Sequence, residues 1–414
     1  MKKLALLLAS LAVALLAGGC SSKGTSADPP ANFSAVAGDA SAILTWTAEP
    51  GVDYWIFYGL GSGITTTNWT TTGGKVIVNA ASPHVITGLV NGLTYSFTIN
   101  GRKAGGPGGP GAPTQVVVPR LAGDNWAVGI PLGTGRLNGV TIGNMAAGTA
   151  TVTVGSGGAI YTRIGVGATT TPTNPAAPAD LNAVWYSTLG LAAVGANGTI
   201  LYSPDATTWT AQTSGSTSTL YGGTTGGNGG FLAVGAAGTI INSAGGTSWV
   251  PLGTPPTPND LYAAAYGSGL YVAVGDHGTI LTSPDGVTWT LATSGTTRDL
   301  RGVAVGAIPS ETPITITTTY TSVFVAVGTA GTVFTSSDGT TWTAQPPIST
   351  NDLTAVVYGG QFVAVGKGGG IFTSRDGVTW QARNSGTTND LMAIARTLAG
   401  YTAVGAAGTV VSSF

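Results

Sequence analysis

A chain of 414 residues has room for two or three domains or for one large repeat domain. Only 7% of it is charged while 43% is hydrophobic, with 10 Trp, 13 Tyr and 67 Gly; this composition excludes a charged disordered chain and favours strands joined by tight turns. A formal net charge of −1, one Cys and two His give no basis for a nucleic-acid partner, an internal disulfide or an ordinary zinc site.

The first twenty residues stand apart. Lys2 and Lys3 precede the apolar run Leu4–Leu16, which is short for a bilayer span, and Ala17-Gly18-Gly19 then leads to Cys20. This resembles a bacterial lipoprotein signal. The resemblance implies that residues 1–20 direct export and that Cys20 is lipidated, anchoring the chain to a membrane. Ser21 resembles the sorting signal for the outer membrane, and the resemblance implies a location in the cell envelope, as an outer membrane lipoprotein or at the cell surface. An ordinary secretory signal with an incidental Cys20 is the alternative. Losing Lys2 and Lys3 leaves 13 basic residues against 16 acidic ones.

Residues 21–28 read as a polar tether and 29–119 as a small all-β domain. Ser41–Thr47 alternates around Trp46, Tyr54–Tyr58 is a second strand, and Leu93–Asn100 is a third with Tyr95, Phe97 and Ile99 on one face; QVVV from Gln115 closes it. Trp46 in an early strand, with Leu89 six residues before Tyr95 in LVNGLTYSFTI, resembles a fibronectin type III domain. That implies a sandwich in which Tyr95 ties a late strand to the preceding loop, and the role of a spacer. Gly105–Pro113 reads as the loop before the last strand, with a short boundary at Arg120–Asp124.

Residues 120–414 repeat. Each unit has an Asp-Leu start with an apolar strand (DLYAAAYG from Asp260), a second strand ending Val-Gly, a third in GTILTS and a fourth beginning at Trp. The Val-Gly glycines are Gly155, Gly195, Gly235, Gly275, Gly328, Gly366 and Gly405, spaced by 40, 40, 40, 53, 38 and 39 residues. Four short strands per unit of about forty residues predict a β-propeller, here of seven blades. The last unit stops at Phe414 in GTVVSSF, and the piece it lacks stands at Gly123-Asp124-Asn125-Trp126. The N-terminal strand is therefore expected to complete the last blade and remove an open edge. Second strands such as FVAVG lack polar alternation, which suits burial on both faces. Glycines around the tight turns are expected to supply positive φ.

The stretch GTILTSPDGVTW at Gly278–Trp289 has four close copies, from Gly198, Gly238, Gly331 and Gly369. Asp205, Asp285, Asp338 and Asp376 are read as turn residues, accepting bonds from turn amides and a neighbouring Ser or Thr, with the Trp packing at the rim. A catalytic residue is needed once, not in every repeat. The core S-x-D-G-x-T-W resembles the Asp-box of sialidase propellers, one residue shorter. The repeat over nearly all of Trp126–Phe414 also resembles the propeller of the photosystem II stability and assembly factor family, which implies a binding propeller.

Chemistry is sparse. A sialidase needs an arginine cluster and a Tyr–Glu pair, and Glu311 is the one Glu beyond the first domain. It falls in the insertion Ala307–Ser322, expected to protrude between strands one and two of the fifth blade. Asp180, Asp260, Asp299, Asp352 and Asp390 each precede an inner-strand Leu and are expected to ring one mouth of the channel. Asn197, Asp276-His277 and Lys367 should open on the same face, with Arg298, Arg301 and Arg396 close by. Either each Asp caps a turn or bonds a neighbouring blade, or the ring holds a polar ligand or a cation. No cofactor and no metal is assigned. The function expected is an exported, lipid-anchored, non-enzymatic binding or scaffolding protein engaging a protein or glycan through a propeller face. The alternative is a glycoside hydrolase at the channel mouth, which needs two carboxyls about 5–10 Å apart in an open pocket.

Overall fold

Thr-, Val- and aromatic-rich segments separated by Gly and Pro become strands throughout the computed structural model, which describes residues 24–165, 167–170, 179–310, 319–398 and 400–413. Cys20, the leader, and residues 311–318 of the insertion with Glu311 lie outside the described residues. Among those described, all regular structure is strand or single 3-10 turn. The chain divides into two compact units, Met1–Leu121 and Ala122–Phe414.

In the first unit two sheets share one core. One contains Ser34–Gly38, Ser41–Thr45 and His84–Thr87; the other is built on Val52–Leu60, Lys75–Ala80 and Tyr95–Lys103. Gln115–Val117 and Thr25–Ala27 share the free edge of Tyr95–Lys103, pairing with its first and last thirds. Leu44, Trp46, Ile56, Phe97 and Ile99 pack between the sheets. Tyr95–Lys103 departs from the one-sided burial expected of it. Seven consecutive residues are buried, because the Gly/Pro loop folds over its outer face. Thr98 donates to Ala112 O at 2.7 Å, and the amides of Gly109 and Ala112 bond Gly101 O and Ile99 O. Tyr95 Oη accepts the Val90 N–H at 3.1 Å, tying strand to loop.

The described residues of the second unit form seven antiparallel sheets. The second sheet is representative: Leu181–Ser187 innermost, then Gly190–Gly195, Ile200–Ser203 and Thr210–Gln212. Innermost strands touch in chain order, and the first, Leu137–Met145, also touches the last, Leu391–Arg396, so the succession closes on itself. That arrangement is a β-propeller. Second strands such as Phe231–Gly235 and Phe362–Gly366 are buried along their whole length, packed on both faces.

The last sheet is completed from the other end of the unit. Trp126–Val128 pairs antiparallel with Val410–Ser413, Ser413 opposite Trp126. Trp126 Nε1 donates to Gly123 O at 2.7 Å, and Gly123 has φ +93. The same bond, Trp to the Gly three residues before, recurs at Trp249, Trp342 and Trp380. In the first sheet three strands are described, and Thr170 N bonds Thr162 O where a fourth would begin. The insertion lengthens the inner hairpin of the fifth sheet: Ala307 pairs with Ser322 and Ile308 with Thr321.

The turn glycines divide into two kinds. Gly278 and its equivalents have φ near +70. The Val-Gly glycines do not: Gly275 is extended, with φ −165. They are required by contact instead. A Cβ on Gly275 would stand 1.9 Å from Asp260 O, and one on Gly328 1.9 Å from Asp299 O.

Candidate ligand site at the channel mouth

Each of the seven inner strands starts with a buried Leu, and in each the ladder slips by one residue just after it, between Leu137 and Gly139, Leu181 and Ala183, and so around the ring. A bulge leaves the extra residue unpaired and re-aims its side chain. The residues so released are Asn138, Asn182, Tyr221, Tyr262, Arg301, Thr354 and Met392. All seven line a single cavity of 380 Å³, together with Arg136, Asp352 and Lys367. One side chain from every inner strand places this cavity at the mouth of the central channel.

Three of these side chains staple neighbouring sheets. Asn138 Nδ2 donates to Leu181 O at 2.8 Å, Asn182 Nδ2 to Leu220 O at 2.9 Å, and Thr354 Oγ1 to Leu391 O at 2.6 Å. The other wall is aromatic and charged. Tyr221 and Tyr262 lie 5.3 Å apart, and the Arg301 guanidinium sits 4.5 Å over the Tyr262 ring while pairing with Asp299 at 3.0 Å. Tyr221 donates to Asp260 Oδ2 at 3.3 Å and Tyr262 to Asp276 Oδ1 at 2.5 Å. Burial, then these carboxylates, pushes both phenols above their usual range, so they remain protonated donors at neutral pH.

The five ring aspartates use their two kinds of oxygen differently. The main-chain carbonyl of Asp260 accepts the Asp276 N–H of its own sheet's turn, at 2.9 Å. Its Oδ1 accepts the N–H of Ala237, the left-handed residue in the turn of the preceding sheet, at 2.8 Å. Asp180 does the same to Gly157 (2.7 Å), Asp299 to His277 (3.2 Å), Asp352 to Ala330 (3.0 Å) and Asp390 to Gly368 (2.9 Å). Each aspartate therefore clasps two sheets, its own turn through the main-chain carbonyl and the preceding one through the carboxylate. Asp352 also holds Lys367 at 2.7 Å, and that ammonium, with the Ala330 amide, keeps its carboxyl below the usual range. His277 enters the ring through its main chain. Among the described residues no three His, Cys, Asp or Glu side chains gather as a metal site.

Arg298, bonded to Thr332 Oγ1 at 3.2 Å, lies on this face. Arg396 does not. It ends the strand that Leu391 begins, and it bonds Thr397 O and Gly359 O at the far end of the inner hairpins. Sequence reading missed Arg136, Asn138, Asn182, Tyr221, Tyr262, Thr354 and Met392. A signal was present: the residue after each inner Leu changes type from repeat to repeat while the Leu does not.

The repeated turn is a local device away from this mouth. Asp285 Oδ1 accepts the amides of Val287 (2.8 Å) and Thr288 (2.7 Å) and the Ser283 hydroxyl (2.9 Å); Asp205, Asp338 and Asp376 repeat the pattern. The amides of Thr288 and Val287, with the Ser283 hydroxyl, hold Asp285 down to about 2. For Asp205 burial acts upward, and the Thr208 and Thr207 amides outweigh it, again to about 2.

No protein-family model matches the sequence, and no curated protein matches it. Solved structures do. YCF48 from Cyanidioschyzon merolae covers 70% of this chain and 98% of its own, with 17% identity and a TM-score of 0.52. A YCF48 bound to D1 peptide covers 70% and 96%, with 18% identity and a TM-score of 0.53. A streptogramin B lyase covers 71% and 99%, with 13% identity and a TM-score of 0.56. The chain carries a β-propeller. At such identities the likeness shows the fold alone, since one propeller frame hosts unrelated chemistries.

Proposed function

We propose that the protein is an exported, lipid-anchored, non-enzymatic binding protein whose seven-bladed propeller engages a protein partner at the channel mouth. The observation that carries this is the convergence of one bulge-released side chain from every inner strand on one cavity. Ligand sites are concave and present a few placed polar groups; this one offers two phenols, two amides and three cations. The closed succession of seven inner strands, sealed by Trp126–Val128, supports the blade count. The strand order of the first unit and the Tyr95–Val90 tie support a fibronectin type III-like spacer. Cys20 after the apolar run supports the anchor in the cell envelope.

A YCF48 structure holds a D1 peptide, so a propeller of this fold can take a peptide segment, and that favours a protein over a glycan. The hydrolase alternative draws no support from the cavity. Asp352 is the acidic residue in its lining, and it is held by Lys367 and the Ala330 amide, whereas glycosidase chemistry uses a pair of carboxyls.

Affinity capture from the native envelope tests the reading. Tyr262→Ala and Arg301→Glu, each checked for native circular dichroism, should cut partner capture by about tenfold or more, the loss typical of truncating an aromatic or Arg anchor. Deletion of residues 311–318 should leave it unchanged. Capture indifferent to both mouth variants, or turnover of aryl glycosides lost on Asp352→Asn, would overturn it. Cys20→Ser should release the protein from the membrane fraction.

A further inference from the structure

The carboxylate ring is incomplete at two of its seven seams. At five, an Asp Oδ1 takes the N–H of the left-handed residue in the preceding turn. At the sixth, Thr219 stands where the Asp would be, facing the turn of Asn197. At the seventh, where the last sheet meets the first, the position is held by Arg136 and the turn residue is Ala407.

The turn itself is unchanged there. Ala407 has φ 53, against 51 at Ala237 and 52 at Ala330. Gly408 N donates to Gly135 O at 2.7 Å, which sets the turn against the residue before Arg136. What differs is the charge. Among the described residues neither the Ala407 N–H nor the Arg136 guanidinium has a partner. The other two cations of the cavity are neutralised, Arg301 by Asp299 and Lys367 by Asp352. Arg136 is exposed and lines the same cavity.

We propose that this seam is a carboxylate seat: a carboxylate of the bound peptide stands where the ring lacks its Asp, one oxygen accepting the Ala407 N–H and the other meeting the Arg136 guanidinium. The five complete seams show within one molecule what an oxygen does at that spot. Arg suits the second half of the task, because its planar fork matches a carboxylate. The Thr219 seam is the internal control, since its Asn197 amide is equally vacant of carboxylate but has no cation in the ring position. Of the seat's two groups, Arg136 lines the 380 Å³ cavity, which has room for a chain end or a side chain. The seat rests on the binding reading above and names the chemistry its ligand must carry, a peptide C terminus or an Asp or Glu side chain.

Titration of the isotope-labelled full chain, followed by nuclear magnetic resonance, tests the seat with four probes: acetyl-Gly-Gly-Leu with a free C terminus, the same peptide as its C-terminal amide, acetyl-Asp-Gly-Gly amide, and N-acetylneuraminic acid. At least one of the two carboxylate peptides should shift the Ala407 amide saturably and leave Asn197 unmoved, and which one does so identifies the source. The amide of the first peptide should do nothing. Arg136→Ala should weaken the shift about tenfold or more, as for a lost charge-assisted bond. Arg136→Asp should abolish it by supplying the missing ring carboxylate, and should raise the melting temperature, so loss of binding cannot be ascribed to unfolding. A shift from the amide peptide, a shift from N-acetylneuraminic acid alone, no saturable shift, or full binding by Arg136→Asp would each overturn the seat. Envelope capture separates the two readings. Partners lost with Tyr262→Ala but retained with Arg136→Asp sink the seat and leave the mouth standing, and a seat that binds beside an indifferent Tyr262 does the reverse.

Discussion

At the residue scale the fold depends on contacts that leave no room for a methyl group. The Cβ of an alanine at position 275 would sit 1.9 Å from Asp260 O, with Leu261 Cα at 3.0 Å, and both neighbours are main chain in the ring. Backbone cannot yield as a side-chain tip does, so Gly275→Ala should cost about 3 kcal/mol or more in urea unfolding. Gly253, with open space around it, is the control, and Gly253→Ala should change stability by less than about 0.5 kcal/mol. The turn aspartates make a second prediction. Asp205 and Asp285 titrate near 2 in the folded chain against 3.8 as free side chains, and Asp338 and Asp376 are lowered too. Between those pH values the unfolded chain binds more protons, so stability present above pH 4 is lost as the pH falls toward 2. The melting temperature should drop across that window, and less steeply in Asp285→Asn. A melting curve that holds its midpoint from pH 5 to pH 2 would refute this account.

At the element scale the bulge after each inner Leu and the borrowed strand of the last sheet do the positioning. The bulge turns one residue per sheet out of the ladder, which makes a channel wall from side chains that an unbroken strand would have sent elsewhere. The borrowed strand joins the two ends of the unit. Trp126 is buried beside Tyr401, Ile371 and Val411, and its indole N–H closes the turn at Gly123. Trp126→Ala should cost about 3–5 kcal/mol, the range for emptying a buried Trp site. Hydrogen exchange should quicken first at Val411–Ser413, whose ladder partner the change loosens. Exchange rising equally in all sheets would show that closure does not depend on this strand.

At the scale of the whole molecule there are two compact units with separate cores. The first is held by a single cluster around Trp46, Phe97 and Ile99, while the second is a circuit of clusters, each shared between neighbouring sheets. A circuit has no end from which to fray, so the second unit should unfold in one cooperative step. Calorimetry of the whole chain should show two transitions, and the fragment 122–414 alone should keep the larger one at its temperature. A single transition for the chain, absent from the fragment, would contradict this.

The sequence by itself determined the strands, the forty-residue period, the turn built on Asp285 and its copies, and the pairing of the chain's last strand with the segment at Trp126. Each is carried by local chemistry: alternation, a glycine that must be bare, an Asp within reach of amides two and three residues on. It also placed the ring aspartates at the start of the inner strands. It misplaced Arg396, which the strand run from Leu391 carries to the end of the inner hairpin away from the ring aspartates, and it passed over Tyr221, Tyr262 and Asn138, because the bulge that aims them exists only once the strand has a partner. Tertiary structure alone decided that five carboxylates are occupied by amides from the neighbouring sheet and that the seam of Arg136 and Ala407 has no such carboxylate. Those partners lie 22 or 23 residues apart in sequence for the five aspartates, and for Arg136 they lie at opposite ends of the propeller. Only closing the ring brings Ala407 to Arg136.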